Sequence, residues 1–462
     1  MTGTNASTTA PLSKRLMDNT AFVSPLLDGI IAYAQNAFDR EKNPKGIVNL
    51  GMSENRLLHD RLEPFVQSKL QVHRRHFSYG MDPLGPRELR QALASMINQH
   101  FNPFIQIQPE HLSVHNGTTS VIDIFAFSAC DAGDGILVAT PSYGGFELDT
   151  QVRAKALLIP VRTTMEQMLD ADQHVAQMVK AYDQAVADGI TVRAMILCNP
   201  HNPLGVCYPR AMLERLLQFA GERNLHVLSD ESFALSCYND ALKAMDGAAA
   251  EVLAHEAASP YSAWVDQTFT SVLAIDTLRD LIDPSLVHIV HGASKDFGMN
   301  GMRIGYLISP WNPTLLQALL TIALFTWNSQ LMEDLMTQIF ADSKWINTYV
   351  AASHVALAKA YTRMAQFLIK YKIPYMPARA SHSIWMDLRQ FCHRPEGHNS
   401  TECTLAMEKD LWQRMIQGGV FAVMGQAFQS QEHGWFRLSF TLAPEDLELA
   451  LARLETTLQL KA

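Results

Sequence analysis

The middle of the chain alternates short apolar runs with amphipathic helical stretches, and few architectures accommodate that pattern. Residues 135–140 (Gly-Ile-Leu-Val-Ala-Thr) read as a strand closed by Pro141. Residues 193–198 form another, closed by Asn199-Pro200. Residues 226–229 form a third, closed by Asp230-Glu231, and 286–290 a fourth, leading into a glycine-rich segment that carries Lys295 and Arg303. Helical patterns such as 210–220 separate them. Strands of four to six apolar residues with helices between them predict an α/β fold around a mostly parallel sheet covered on both faces. In such sheets ligands bind beyond the carboxyl ends of the strands. Each of these strands ends in polar, Gly or Pro residues, as a shared site at one edge requires.

Around this centre the pattern changes twice. A helical stretch at 26–37 leads through a Pro/Gly loop to a short strand at 47–50, and another helix starts near 86. After a long helical region, 311–372, strands at 383–388 and 435–440 are each followed by a helix, the last starting near Pro444. This reads as a smaller α+β domain. The expected organisation is a disordered tail at 1–20, an arm at 21–60, a large domain at 61–330 and a small domain at 331–462.

A chain of 462 residues with net charge −9 and no Lys/Arg cluster is a poor match for nucleic acid or an anionic membrane surface. The six cysteines show no CxxC pair, which predicts reduced thiols in a reducing compartment. Cys392, His393, His398 and Cys403 lie close in sequence, but their spacing is irregular for zinc, and no metal is expected. The polar start of the chain has no apolar core of a signal peptide, and no apolar run approaches the roughly 18 residues of a membrane span. The expected location is the cytoplasm.

Lys295 lies just past a strand, in Gly292-Ala293-Ser294-Lys295-Asp296-Phe297-Gly298. Desolvation or a nearby cation lowers a lysine pKa far enough for covalent chemistry at its amine. Arg303, eight residues on, is a candidate for that cation or for holding a phosphate through its planar fork. An ordinary loop lysine followed by turns is the competing reading. Asp230 follows a strand directly, and a buried carboxylate there needs a cationic partner. A pyridinium nitrogen is one, as in sites that pair a lysine Schiff base with an acid at the ring nitrogen of pyridoxal phosphate. A helix N-cap is the commoner role of such an aspartate. Asn199-Pro200-His201-Asn202-Pro203-Leu204-Gly205 is a stiff double Asn-Pro turn that could aim Asn202 at a ring hydroxyl, or be a turn only. Asn116-Gly117-Thr118-Thr119-Ser120 opens a helix and suits either an anion or a plain cap. Tyr143 is placed to stack on a planar ring or simply to pack. Arg437 interrupts an apolar strand and needs an anion, either a substrate carboxylate or a structural ion pair.

Taken in order, Tyr79-Gly80, Gly117-Thr118-Thr119, Tyr143, Asn199 to Gly205, Asp230-Glu231, Ser294-Lys295, Arg303 and Arg437 resemble the motifs of the fold-type-I pyridoxal phosphate enzymes of the class I/II aminotransferase family. The resemblance runs from about residue 20 to the end. Within the family, residues 43–57, including Glu54, and the stretch from Gly425-Gln426-Ala427-Phe428 to Gly434-Trp435-Phe436-Arg437 are similar to the 1-aminocyclopropane-1-carboxylate synthase branch. The resemblance implies pyridoxal 5′-phosphate as cofactor and Lys295 as the residue that forms the internal aldimine and then shuttles the α-proton. It implies Asp230 at the pyridine nitrogen, Asn202 at the ring hydroxyl and Tyr143 stacked on the ring. Gly117, Thr118, Thr119, Ser294 and Arg303 would surround the phosphate. Arg437, with Glu54, would bind the amino-acid substrate. It also implies a homodimer in which Tyr79 reaches the phosphate of the other subunit.

Two positions depart from the pattern. Phe233 stands where the family has a tyrosine that donates to the ring hydroxyl, and Gly292 stands where the branch has serine, so one phosphate hydroxyl is missing. Without the Tyr donor the ring oxygen is less stabilised as an anion, and the aldimine nitrogen holds its proton more tightly. The expected result is an aldimine pKa that falls in Phe233→Tyr, read by spectrophotometric pH titration; an unchanged or higher pKa would contradict it. These departures make synthase chemistry on S-adenosylmethionine less expected than transamination, or than carbon–sulfur lysis of a cysteine conjugate. Lys295 and Asp230 serve all three reactions alike.

Overall fold

The computed structural model describes residues 12–20, 24–393 and 402–461. The apolar runs become strands. β1 (Val48–Asn49) precedes a seven-stranded sheet of β2 (Leu112–His115), β3 (Gly135–Thr140), β4 (Leu157–Arg162), β5 (Val192–Cys198), β6 (His226–Asp230), β7 (Val287–Gly292) and β8 (Gly305–Ile308). Their order is β2-β8-β7-β6-β5-β3-β4. β8 runs antiparallel to both of its neighbours, and the other six run the same way. β2, β3, β6, β7 and β8 are buried along nearly their whole length, as expected when helices cover both faces. The sequence reading had singled out four of these strands. It missed β2 and β8, which are only four residues long, and β4, which is partly exposed at the sheet edge.

The register puts the functional ends level. Cys198 pairs with Asp230, and Asp230 with Val290. The Asn199 amide donates to the Asp230 carbonyl at 2.9 Å, and the Glu231 amide to the Val290 carbonyl at 3.0 Å, so the chains leave the sheet together.

A second sheet contains β9 (Tyr375–Met376), β10 (Ser383–Asp387), β12 (Val423–Met424) and β13 (Trp435–Ser439), in the order β12-β13-β10-β9, while β11 (Val420–Phe421) pairs parallel with β1. Its core gathers Val48, Leu50, Ile384, Leu411, Phe436 and Leu451. The helix Ser343–Lys370 connects the two cores: Ile346 and Tyr349 lie in the first, and Leu357 to Tyr371 in the second. The expected boundary at 331 therefore falls inside the helix Gln330–Phe340, whose Leu335, Met336 and Ile339 pack into the large core.

The expected tail also differs. Lys14–Thr20 is a helix, and Asn19 joins it to the large unit by donating to the Val152 carbonyl at 3.1 Å. Residues 1–11 lie outside the described residues, as does His398. Among the described residues no cluster of His, Cys, Asp or Glu is built to hold a metal, and no helix is long and apolar enough to cross a membrane.

Candidate active site

Lys295 stands three residues past β7, and Ser294 before it is buried. The lysine Nζ donates to the Ser53 carbonyl at 2.7 Å and lies 5.8 Å from the centroid of the Phe233 ring. Its pKa is lowered to about 8. Burial is the main cause, and the positive charges of Arg437 and Arg303 add to it against the opposing pull of Glu54 and Asp230. About a tenth of the amine is therefore unprotonated at neutrality, against well under a thousandth for an ordinary lysine, and the unprotonated form is the one that can act as nucleophile or base.

Asp230 closes β6, almost fully buried. One carboxylate oxygen accepts from the Ser232 amide at 3.0 Å and the Ser232 hydroxyl at 2.5 Å. Burial still raises its pKa, with the Ser232 bonds, His291 and Lys295 opposing the shift. The carboxylate thus lacks a full counter-charge, and a cationic ring nitrogen would supply one. The two asparagines of the Asn-Pro turn have different surroundings. Asn199 locks the loop: its oxygen accepts from the Tyr208 amide at 2.9 Å and its NH2 donates to the Thr270 carbonyl at 3.0 Å. Asn202 faces the site, where its oxygen accepts from Arg437 Nη1 at 2.9 Å, so its NH2 is the half left for a ligand.

The chain leaves β2 through Asn116-Gly117 and enters the helix Thr118–Ala129. Gly117 has φ 115°, in the region that favours glycine, and a Cβ there would strike the guanidinium of Arg303. Arg303 thus lies against a helix N-terminus, and the two together offer an anion cradle of amides, dipole and guanidinium. Thr118 and the exposed Thr119 occupy the helix's first turn. Ser120 bonds back to Asn116, which holds the cap. Gly292 has a steric reason as well: a Cβ would lie 2.7 Å from the Ile304 carbonyl oxygen and 3.0 Å from the Thr118 methyl group. A serine hydroxyl does not fit there without moving backbone.

Arg437 is the most telling residue. It sits on β13 opposite Trp385, nearly fully buried, with its guanidinium 4.9 Å from the Phe428 ring centroid. Nη1 donates to Asn202 and Nη2 to the Gly51 carbonyl at 2.5 Å, while Nε has no partner. Its partners are neutral, and burial lowers its pKa to about 10. The structural ion pair weighed for it does not form among the described residues. A buried arginine with an unused donor is prepared for a carboxylate.

Tyr143 packs edge-on against Phe146 with ring centroids 5.3 Å apart, and burial raises its hydroxyl pKa, the charges of Arg437 and Arg303 acting against that shift. Two of the anticipated residues lie apart. Glu54 is held at 2.6 Å by Arg56 and acts on Lys295 only through its charge. Tyr79 is 89% exposed and stacks on Trp327 with centroids 6.4 Å apart. Thr326, next to Trp327, accepts from the Asn116 amide at 3.0 Å, which puts Tyr79 on the rim beside the anion cradle rather than inside it. The sequence reading missed Ser53, Asp296, His291 and His382. Only the position of Asp296 beside Lys295 hinted at any of them.

Residues 45–454 match the family described as aminotransferase class I and II. The chain is 30% identical over 439 residues to 1-aminocyclopropane-1-carboxylate synthase-like protein 1 of Bos taurus, covering 94% of this chain and 80% of that protein. It is 30% identical over 460 residues to the probable aminotransferase aclI of Aspergillus oryzae, covering 98% and 99%. The solved structure of aspartate aminotransferase from Thermus thermophilus with maleate superposes with a TM-score of 0.70 at 19% identity, over 97% of this chain and all of that one, a likeness of fold.

Proposed function

Starting from a chain that belongs to the class I and II aminotransferase family, we propose that it is a pyridoxal 5′-phosphate-dependent aminotransferase that acts on the α-proton of an amino acid. The observation that carries this reading is the buried Arg437, with neutral partners and a free donor, beside a lysine whose pKa is about 8. The residues present fit the cofactor. Asp230 lacks a full counter-charge, Gly117 leaves the space that Arg303 enters, and the NH2 of Asn202 is unused by Arg437. When bound, the cofactor supplies an electron sink for the carbanion left by α-proton removal.

The protein's residues do the rest. With the cofactor bound, Asp230 would keep its ring nitrogen protonated and Asn202 would donate to its ring hydroxyl. The amides of Gly117, Thr118 and Thr119, the Ser294 hydroxyl and Arg303 would hold its phosphate. Tyr143 would stack on its ring. Arg437 grips the α-carboxylate with two parallel bonds and so aims the Cα–H bond at the Lys295 amine, which takes the proton and returns it. Glu54, paired with Arg56 and felt by Lys295 through its charge, is assigned to the substrate side from the resemblance of its segment. The assembly is a homodimer in which Tyr79 reaches the partner's phosphate. The exposure of Tyr79, with Phe77, Met81 and Phe325 also exposed, supports a covered surface there.

Transamination is preferred over synthase or lyase chemistry because Phe233 and Gly292 depart from the synthase pattern and the aclI relative is named a probable aminotransferase. The test is incubation of the purified, cofactor-loaded protein with a panel of amino acids and S-adenosylmethionine. A spectral shift to the pyridoxamine form with keto acid release supports the reading. Thiol release, or cleavage of S-adenosylmethionine without keto acid, overturns it. Arg437→Ala is expected to lower kcat/KM about a hundredfold or more, chiefly through KM, because it removes a desolvated partner of the carboxylate. Arg437→Lys, lacking the planar fork, is expected to recover only part of that loss in the same steady-state assay.

A further inference from the structure

His382 is a fully buried histidine in the loop between β9 and β10, close to the amine but given no part in the chemistry above. Its place is fixed by unusual means. Ser381, just before it, holds φ 70°, a left-handed conformation that a non-glycine residue keeps only when its surroundings impose it. The surroundings are stitched. The amides of Arg379 and Ala380 both donate to the Gly205 carbonyl, at 2.8 and 2.9 Å, and the Tyr238 amide donates to the Arg379 carbonyl at 2.9 Å. The loop is thereby pinned to the chain segments that carry Asn202 and Asp230.

The imidazole joins two further segments. Its Nε2 is 3.2 Å from the Ser236 hydroxyl, and its Nδ1 is 3.4 Å from the Ser53 hydroxyl. Ser236 donates its single proton to Asp296 at 2.6 Å, so the proton between Ser236 and His382 belongs to Nε2. Nδ1 is then an acceptor for Ser53. Asp296 is itself anchored at its other oxygen by His291 at 2.7 Å and the Leu235 amide at 2.9 Å, and His291 meets the Tyr306 hydroxyl at 2.6 Å. The result is one oriented chain: Ser53 to His382 to Ser236 to Asp296, met from the other side by Tyr306 and His291. The Ser53 end of this chain supplies the carbonyl to which Lys295 donates. The imidazole also packs edge-on against Phe233 with ring centroids 5.1 Å apart, and Phe233 in turn faces the lysine. Burial and the neighbouring positive charges of Lys295 and Arg437 keep His382 neutral, as the chain requires.

We propose that His382 is a positioning residue for Lys295: a neutral, Nε2-protonated imidazole, its tautomer set by Asp296 through Ser236, that holds Ser53 and Phe233 where the lysine amine needs them. The proposal rests on the reading of Lys295 as the reactive amine. His382 touches neither the amine nor, in that reading, the substrate; it acts through what it orients.

The test compares His382→Leu, which removes both ends of the link, with His382→Gln, which can donate to Ser236 and accept from Ser53. Two readouts are used. The first is steady-state kinetics with the α-deuterated amino acid. The second is reductive methylation of Lys295 in the cofactor-free protein by formaldehyde and cyanoborohydride, localised by mass spectrometry. His382→Leu is expected to lower kcat by about ten- to a hundredfold, the range that misplacing a reacting group produces. KM is expected to stay within about twofold, because Arg437 still holds the carboxylate. The isotope effect rises, and Lys295 methylation changes rate by threefold or more. His382→Gln restores both readouts toward the wild type, and Ser236→Ala, which keeps the imidazole but frees its tautomer, shifts both in the same direction as Leu. If Leu, Gln and Ser236→Ala lower the melting temperature while kcat per folded protein and the methylation rate stay at the wild-type level, His382 is structural only and the proposal is overturned. Turnover that survives in Lys295→Ala would instead bring down the reading of Lys295, and the methylation comparison would still report on His382.

Discussion

Lys295→Ala is expected to lower turnover by about ten-thousandfold or more, since in the proposed reading one substitution removes both the group that takes the α-proton and the amine that anchors the cofactor. Its absorbance spectrum is expected to lose the band of the lysine-bound cofactor. The wild type provides the matching pH signature. The free amine is the reactive form, and burial with two guanidinium groups nearby lowers its pKa from 10.5 to about 8. Capture of pyridoxal 5′-phosphate by the cofactor-free protein is therefore expected to speed up tenfold per pH unit below about 8 and to level off above it. For an unperturbed lysine the rise would continue to about 10.4. Stopped-flow absorbance at stepped pH reads the break point directly, and a profile still climbing at pH 9.5 would contradict the lowered pKa. The Lys295→Ala protein is expected to show no such phase.

Asp230→Ala is expected to produce the second-largest loss, about a hundred- to a thousandfold in kcat, the usual effect of removing one preorganised charge from a desolvated site. Asp230→Asn keeps the shape and loses the charge, so it is expected to fall nearly as far. Equal activity in the Asn variant and the wild type would mean that the carboxylate acts as a cap and not as a counter-charge. The measurement is kcat at saturating cofactor, with cofactor affinity from equilibrium titration as a second number. Affinity is expected to weaken in both variants, because in the proposed reading the ring nitrogen loses its partner while the phosphate cradle is untouched.

These two residues were legible in the sequence for a common reason. Asp230 closes its apolar run and Lys295 follows one within a few residues, and polar residues just past such a run emerge at the edge of the sheet. The same logic identified Asn202, though it left Asn199 and Asn202 undivided. The structure separates them, one bonded within its loop and one turned to Arg437. Gly117 was legible as a helix start, but not as the space Arg303 needs, since the collision involves a residue 186 positions later. Gly292 read as a missing hydroxyl. The backbone oxygen of Ile304, the residue just before β8, gives it a steric reason that lies outside its own segment. The expected boundary at 331 falls inside the helix Gln330–Phe340, and the helix that joins the two cores, Ser343–Lys370, follows it with no break in composition to mark the passage.

The sequence by itself determined the alternating architecture, the edge of the sheet where the candidate residues gather, and the types of residue waiting there. Those features follow from local periodicity and from what ends each strand. Only the tertiary structure decided which of these residues meet, and which unremarkable ones join them. Ser53 and His382 are 329 residues apart and come from the N-terminal arm and the loop between β9 and β10, yet both bear on Lys295. Arg437 read equally well as a structural ion pair or a carboxylate site, and the choice depended on whether an acid lay nearby in space. None pairs with it among the described residues; its hydrogen-bond partners are the Gly51 carbonyl and the Asn202 amide oxygen. Strand ends can be read from a linear pattern; the charge balance of a buried guanidinium depends on every segment packed against it.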